Sequence, residues 1–261
     1  MKNDKYFFIN IILLFLMLWL PLGQYDFLIN HWMKIGTYSI PFLFVGLFAF
    51  REKELSKSSN YRFLALLMLV AYIIHQFEEH WIDIYGNIYA FYASNNAFIL
   101  DRLGEPNSSI MPLTKESIFV INTSLVWLIG LLAILRSPKH LFPFFSMAGI
   151  IVINGFVHVM GSLITQAYNP GVLTSVLIFI PLYFWLLRKV QKSTENFKLL
   201  VIGGLIWAFL AHVIMVAGLL AANWFQIIPE YLYWVILVAW SILPIEIFRN
   251  NKTENVLQQG V

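Results

Sequence analysis

The 261-residue chain contains no cysteine. That absence excludes disulfides and thiolate metal sites, so any metal would be held by nitrogen and oxygen. Charge is scarce as well. Asp, Glu, Lys and Arg make up 12% of the residues, about half the share of a soluble globular domain. The alternating segments of roughly ten residues that build a membrane β-barrel are missing, which leaves helices as the spanning structure. No internal repeat, low-complexity tract or soluble domain breaks the pattern.

What is present is apolar surface. Hydrophobic residues reach 59%, and several runs approach the roughly 20 residues that cross a bilayer core. The expected fold is therefore all-α: a single transmembrane domain over residues 1–261, a polytopic bundle of about eight helices. The helices are expected over residues 6–22, 36–50, 62–84, 117–135, 141–165, 172–187, 198–222 and 231–248. The second is the weakest, being short and holding Pro41. The first follows Lys2 and Lys5 as a signal peptide would, but no small-residue cleavage site precedes "PLGQYD", so a retained helix is expected.

Charge placement sets the orientation. With the N-terminus cytoplasmic, 14 of the 17 Lys and Arg residues fall on inside segments, and only Lys34, Arg102 and Lys115 fall outside. That is the inward bias of short membrane loops, and it puts both termini in the cytoplasm. The same bias accounts for the net charge of +3 without a nucleic-acid partner. The expected location is the cell membrane, with membrane lipids and a lipid-like small molecule as partners. Residues 85–116 form a long extracytoplasmic connection, far beyond the usual length of about five residues. Their aromatics and "FIL" suit either a lid over the outer face or a segment lying at the interface.

Against this background "AYIIHQFEEHWIDIYG", residues 71–86, is anomalous. Four ionisable groups crowd into six positions of an apolar helix. At about 100° per residue, Glu79 lies near +40°, Glu78 near −60° and Tyr72 near +60° from His75, so the four form one stripe. His80 falls near +140° and is expected to leave that face. A carboxylate at membrane depth costs roughly 2.5–3.5 kcal/mol on insertion scales, so such groups persist when paired, metal-bound, protonated or facing water.

Other helices bring polar groups to similar depth. His75 lies thirteen residues beyond Arg62, about 20 Å from the cytoplasmic end. His158 lies in the outer half of the fifth helix with Asn154 one turn below, and His212 lies fourteen residues into the seventh. Asn122 lies one turn into the fourth. "YNPG" then joins the fifth and sixth helices, with Pro170 and Gly171 as turn residues and the Tyr168 hydroxyl at the mouth of the site.

His75, Glu78 and Glu79, followed by His158 and then Tyr168, Pro170 and Gly171, resemble the HXXEE-motif family of membrane proteins. The resemblance spans residues 62–222, roughly the third to the seventh helix, and implies no activity. The near-miss to the H-x-x-E-H metalloprotease motif is disfavoured, because the second histidine comes one residue late.

Chemistry must then decide. A metal-dependent membrane enzyme would bind zinc or iron through His75, Glu79 and His158, with His212 as a further ligand. Glu78 would act as general base and Tyr168 as a catalytic donor, although the two glutamates are interchangeable at this stage. Tyr72, Asn122 and Asn154 would contact a lipid-like or isoprenoid-like substrate entering from the outer leaflet. Hydrolysis asks least of such a set. The alternatives are a metal-free Glu/His isomerase or cyclase and a proton-coupled transporter.

Overall fold

A computed structural model describes residues 25–51, 57–104, 111–137 and 139–247. Among them the chain is helical throughout, with a single isolated β-bridge between Ile82 and Ile88. Eight helices follow in order: α1 (Tyr25–Arg51), α2 (Lys57–His80), α3 (Ala90–Leu103), α4 (Lys115–Arg136), α5 (Phe142–Thr165), α6 (Val172–Ser193), α7 (Phe197–Trp224) and α8 (Glu230–Ile245). The membrane-length part of α2 is Tyr61–His80. That part of α2 and the whole of α4, α5, α6 and α7 are long and apolar enough to cross a bilayer, which makes this a multi-pass membrane protein by length and composition.

Two differences from the sequence reading matter. The helix expected over residues 6–22 lies outside the described residues. The one expected over 36–50 begins at Tyr25 and runs for 27 residues. Pro41 sits inside it without ending it. Met33 and Gly36 lie in the preceding turns, and their carbonyls accept from Thr37 Oγ1 and Ser39 Oγ at 2.8 and 2.6 Å. The second difference is α3, a helix inside the 85–116 connection. The chain enters it through a turn at Asp83, whose carboxylate accepts from Tyr85 N, Asn87 N and Asn87 Nδ2 at 2.8–3.0 Å. Burial pushes the Asp83 carboxyl up, but the donors of Asn87, Tyr85 and Gly86 outweigh it and hold its pKa below the usual value. Asn96 then ties α3 down through a pair of hydrogen bonds to the Leu113 backbone, at 2.9 and 3.0 Å.

The helices differ in how they are covered. The spanning windows of α2 and α4 are 72% buried inside the protein, and those of α6 and α7 only 22%. So α2 and α4 form the centre, while Leu177, Ile202, Ile206 and Phe209 face outward as lipid contacts. The tightest approach is α5 on α7. A Cβ at Gly149 would lie 2.6 Å from the Gly204 carbonyl oxygen, and one at Gly204 would lie 2.5 Å from that of Phe145. Only glycine permits this distance, the small-residue device of membrane helices.

Candidate metal centre

The centre is built where α2, α5 and the start of α6 meet. His75 and Glu79 stand on α2 one turn apart. His158 comes from α5. His75 Nε2 lies 3.5 Å from Glu79 Oε2, and His158 Nε2 lies 3.4 Å from Glu79 Oε1. Ligand atoms of these three residues lie within 4.8 Å of one another, and all three residues are buried. Ligands held about 2.0–2.1 Å from a tetrahedral ion sit about 3.3–3.4 Å apart, so the 3.5 and 3.4 Å contacts of His75 and His158 with Glu79 have the spacing of a zinc site.

Outer partners decide which imidazole nitrogen carries the proton. Thr174 Oγ1 donates to Glu78 Oε2 at 2.6 Å, so it accepts from His75 Nδ1 at 2.7 Å. His158 Nδ1 donates to Asn169 Oδ1 at 2.7 Å. Both Nε2 atoms are therefore the acceptor nitrogens of their rings, the outer-shell arrangement typical of metal-bound histidines. Asn154 Nδ2 approaches His75 Nε2 at 3.0 Å and bonds the Tyr72 hydroxyl.

A third imidazole joins them. His80 Nε2 lies 3.0 Å from Glu79 Oε2, which corrects the expectation that His80 leaves this face. Helix α2 ends at His80, and Ile82 N reaches back to the Phe77 carbonyl at 3.0 Å. The regular 100° step no longer governs there, and the ring folds back along its neighbour between Trp32 and Phe91. Its state is set by a relay that starts at an indole. Trp127 Nε1 can only donate, and it does so to Gln76 Oε1 at 2.9 Å. The Gln76 amide must then donate to Asn122 Oδ1 at 2.9 Å, which turns Asn122 Nδ2 toward His80 Nε2 at 3.2 Å. So this nitrogen is an acceptor too. Asn154 and Asn122 supply the donors for His75 and His80 Nε2, which leaves the buried Glu79 carboxylate and His158 Nε2 as facing acceptors, and a cation relieves them.

Glu78 has another fate. Its carboxylate accepts from Tyr168 OH at 2.9 Å, Leu173 N at 3.2 Å, Thr174 N at 2.8 Å and Thr174 Oγ1 at 2.6 Å. It sits on the first turn of α6, where free backbone N–H groups and the helix dipole favour an anion. With four donors it has no lone pair left over for base chemistry. Tyr168 is likewise a partner of Glu78. Burial, and then the hydrogen bond to Glu78, push its phenol above the ordinary tyrosine value. Gly171 closes the turn with φ 95°, and a Cβ there would lie 2.7 Å from His75 Cε1 and 2.9 Å from His158 Cε1. Pro170 is buried beside it. After Thr174 the helix widens into a π-turn over Ser175–Phe179, which sets Phe179 against the His75 ring at 4.3 Å.

His212 does not join the ligand group. Its Nδ1 donates to the Ala208 carbonyl at 2.8 Å, one turn back on α7. It lines a cavity of about 340 Å³ instead, together with Glu79, His80, Tyr72, Asn122 and Asn154. One face of α3 walls this cavity, with Phe91, Asn95, Phe98, Ile99 and Arg102 at helical spacing.

With this geometry in hand, the chain can be compared with known proteins. Residues 66–186 match the family model described as a protein of unknown function with HXXEE motif. The resemblance read from His75, Glu78 and Glu79 is thus shown over a narrower stretch than 62–222. The HXXEE stretch holds His75, Glu79 and His158 and the Tyr168–Gly171 turn, and it stops before His212. No curated protein and no solved structure matches the chain.

Proposed function

We propose that this is a membrane-embedded metal enzyme whose ion is held by His75, Glu79 and His158. The observation that carries the reading is the unmatched Glu79 carboxylate: it is buried within 3.5 Å of three acceptor Nε2 atoms, of which only those of His75 and His80 have an amide donor, and it opens on an apolar cavity. Bound there, a zinc or iron ion would supply Lewis acidity and an activated water. The chain's own residues do the rest. Thr174 and Asn169 hold His75 and His158 at Nδ1 so that Nε2 faces inward. Glu78 fixes Thr174 and the first turn of α6. Asn122, Asn154 and Tyr72 line the chamber and orient a lipid-like substrate. Phe179 and Phe91 exclude water from the imidazoles.

Hydrolysis fits this set best: the hydroxyl of water goes to the electrophilic carbon or phosphorus, and its proton goes to the leaving oxygen. The charge bias of the sequence supports a site on the extracytoplasmic side. Glu78 is assigned as an anchor in place of the base, and Tyr168 as its donor. His212 is assigned to the cavity wall in place of the ligand set.

The test is elemental analysis of purified protein beside His75→Ala and His158→Ala, followed by an assay of lipid ester hydrolysis before and after chelation. Near-stoichiometric zinc or iron, lost in both variants, with hydrolysis lost on chelation, supports the reading. Metal-free wild type after supplementation overturns it. A second reading rests on the 3.0 Å separation of His80 Nε2 and Glu79 Oε2, which a proton on Glu79 would also satisfy. It makes the site a metal-free acid–base centre for isomerisation, and it expects turnover that survives chelation.

A further inference from the structure

The cavity also carries information about the molecule it takes, on the reading that it is the reaction chamber. Its volume is about 340 Å³. At about 30 Å³ for a water-sized or methylene-sized group, that holds about eleven such groups. A two-chain phospholipid is far larger.

The cavity has two unlike ends. It follows α3 from Phe91, whose ring lies 5.0 Å from that of His80 and 6.0 Å from that of His158, to Leu103. Twelve residues of helix make this about 18 Å. The Phe91 end is polar, with Glu79, His80, Asn154 and His212. The far end lies between α3 and α7. There Leu103 is 51%, Val216 51% and Phe98 40% exposed, an apolar rim bordered by the Arg102 guanidinium, which lies 5.5 Å from the Phe98 ring and pairs with Asp101. Between the ends the walls are Ile99, Leu125, Val126, Met215 and Leu219.

Hydrogen-bond accounting orients the occupant. At the polar end His212 Nδ1 is committed to the Ala208 carbonyl, so its Nε2 keeps a lone pair. His80 Nε2 and the Glu79 carboxylate are acceptors as derived above. Asn154 Nδ2 is committed to His75, and Asn122 Nδ2 to the Ile118 carbonyl and His80. The Glu79 carboxylate and His212 Nε2 thus face this end of the cavity as acceptors with capacity left. A ligand O–H or N–H placed there is received by them.

We infer that the cavity takes a single-chain amphiphile of about ten carbons, polar end inward. Its inward group is a hydrogen-bond donor, as in a medium-chain or short isoprenoid alcohol, whether as substrate or as the released half of an ester. Its tail reaches the lipid through the gap between α3 and α7.

The experiment uses the full-length protein in nanodiscs and a series of 1-alkanols from butanol to hexadecanol, with and without added zinc. The alkanols compete against 1-decanol carrying a diazirine at its tail, and labelled positions are read by peptide mass spectrometry. Affinity should rise about fourfold per added methylene and stop rising near ten carbons. Label should fall on residues 98–103 and 215–220. Ile99→Trp should move the break to shorter chains, and Met215→Ala to longer ones. The inference is overturned by affinity that climbs unbroken to hexadecanol, by alkanes competing as well as alkanols, or by label spread over the lipid-facing Leu177, Ile202 and Ile206. A failure of the enzyme reading looks different: no metal and no turnover, with the break near ten carbons intact, would support the ligand class and sink the catalytic role.

Discussion

Glu78 and Glu79 are the same residue type at adjacent positions on one buried helix, and the fold uses them in opposite ways. Glu78 meets four donors, two of them backbone N–H groups of α6. Glu79 meets three imidazoles whose facing nitrogens are acceptors. The first carboxylate is saturated, and its negative charge is matched by the helix terminus it caps. The second is left without enough donors, in a place where that costs most. A residue with satisfied valences holds structure together, while one with a surplus has capacity for a ligand. The pair is also coupled, because Thr174 bonds both Glu78 and His75. Glu78 therefore sets, through Thr174, the tautomer of a histidine that faces Glu79.

That contrast can be broken from either side. The largest effect on stability is expected from Glu78→Ala, which strands the α6 amides, the Thr174 hydroxyl and Tyr168. Hydrogen bonds to a charged group contribute about 1.5–3 kcal/mol each, so a loss on the order of 3 kcal/mol or more is expected in thermal unfolding. Unfolding within a degree of wild type would show that Glu78 carries no structural duty. Gly171→Ala should follow, because it forces a Cβ into left-handed backbone and against His75 and His158. A cost of roughly 1–3 kcal/mol should come with weakened metal binding. An unchanged metal affinity would mean that the turn does not press on the imidazoles.

Smaller changes sharpen the comparison. Thr174→Val removes the bridge between Glu78 and His75 while keeping its shape. Outer-shell losses typically weaken metal binding by about 10–100-fold, measurable by competition with a chromophoric chelator. An effect on stability alone would place Thr174 wholly on the Glu78 side. Tyr168→Phe is the mildest change. It removes one of four donors, at about 1.5 kcal/mol, the low end for a bond to a charged group, and should leave metal content intact. The Tyr168 phenol itself should ionise above the ordinary tyrosine value of about 10 in a near-ultraviolet titration compared with that variant. The sign follows from linkage. A raised folded value contributes stability that is complete below the unfolded value, and it is lost as pH rises through the folded one. A normal tyrosine titration would deny the bond to Glu78.

How much of this was readable in the chain varies by residue. His75, Glu79 and His158 could be brought together from i, i+4 spacing and depth along the helices, because straight helices make depth a linear function of residue number. The identity of the anchoring glutamate could not be read. The donors that claim Glu78 are backbone amides of residues 173 and 174, which leave no side-chain signature. His80 was lost to a helical-wheel argument applied at the last residue of a helix, where the regular twist ends. The clue was nearby in Gln76, Asn122 and Trp127, three polar groups in apolar helices that need one another. Helix α3 was missed by treating residues 85–116 as one loop, although Phe91, Asn95, Phe98 and Arg102 already fall on one helical face. His212 lies outside the group of His75, Glu79 and His158, and a histidine one turn above a carbonyl of its own helix can satisfy itself there.

The most direct measurement is metal stoichiometry of Glu78→Gln and Glu79→Gln beside wild type, all folded in nanodiscs and equilibrated with saturating zinc or iron. The proposed metal site predicts close to one ion per chain in wild type and in Glu78→Gln, the latter with a lowered unfolding temperature, and none in Glu79→Gln. Retention of the ion by Glu79→Gln with its loss in Glu78→Gln would exchange the two roles. An ion-free wild type would remove the metal altogether.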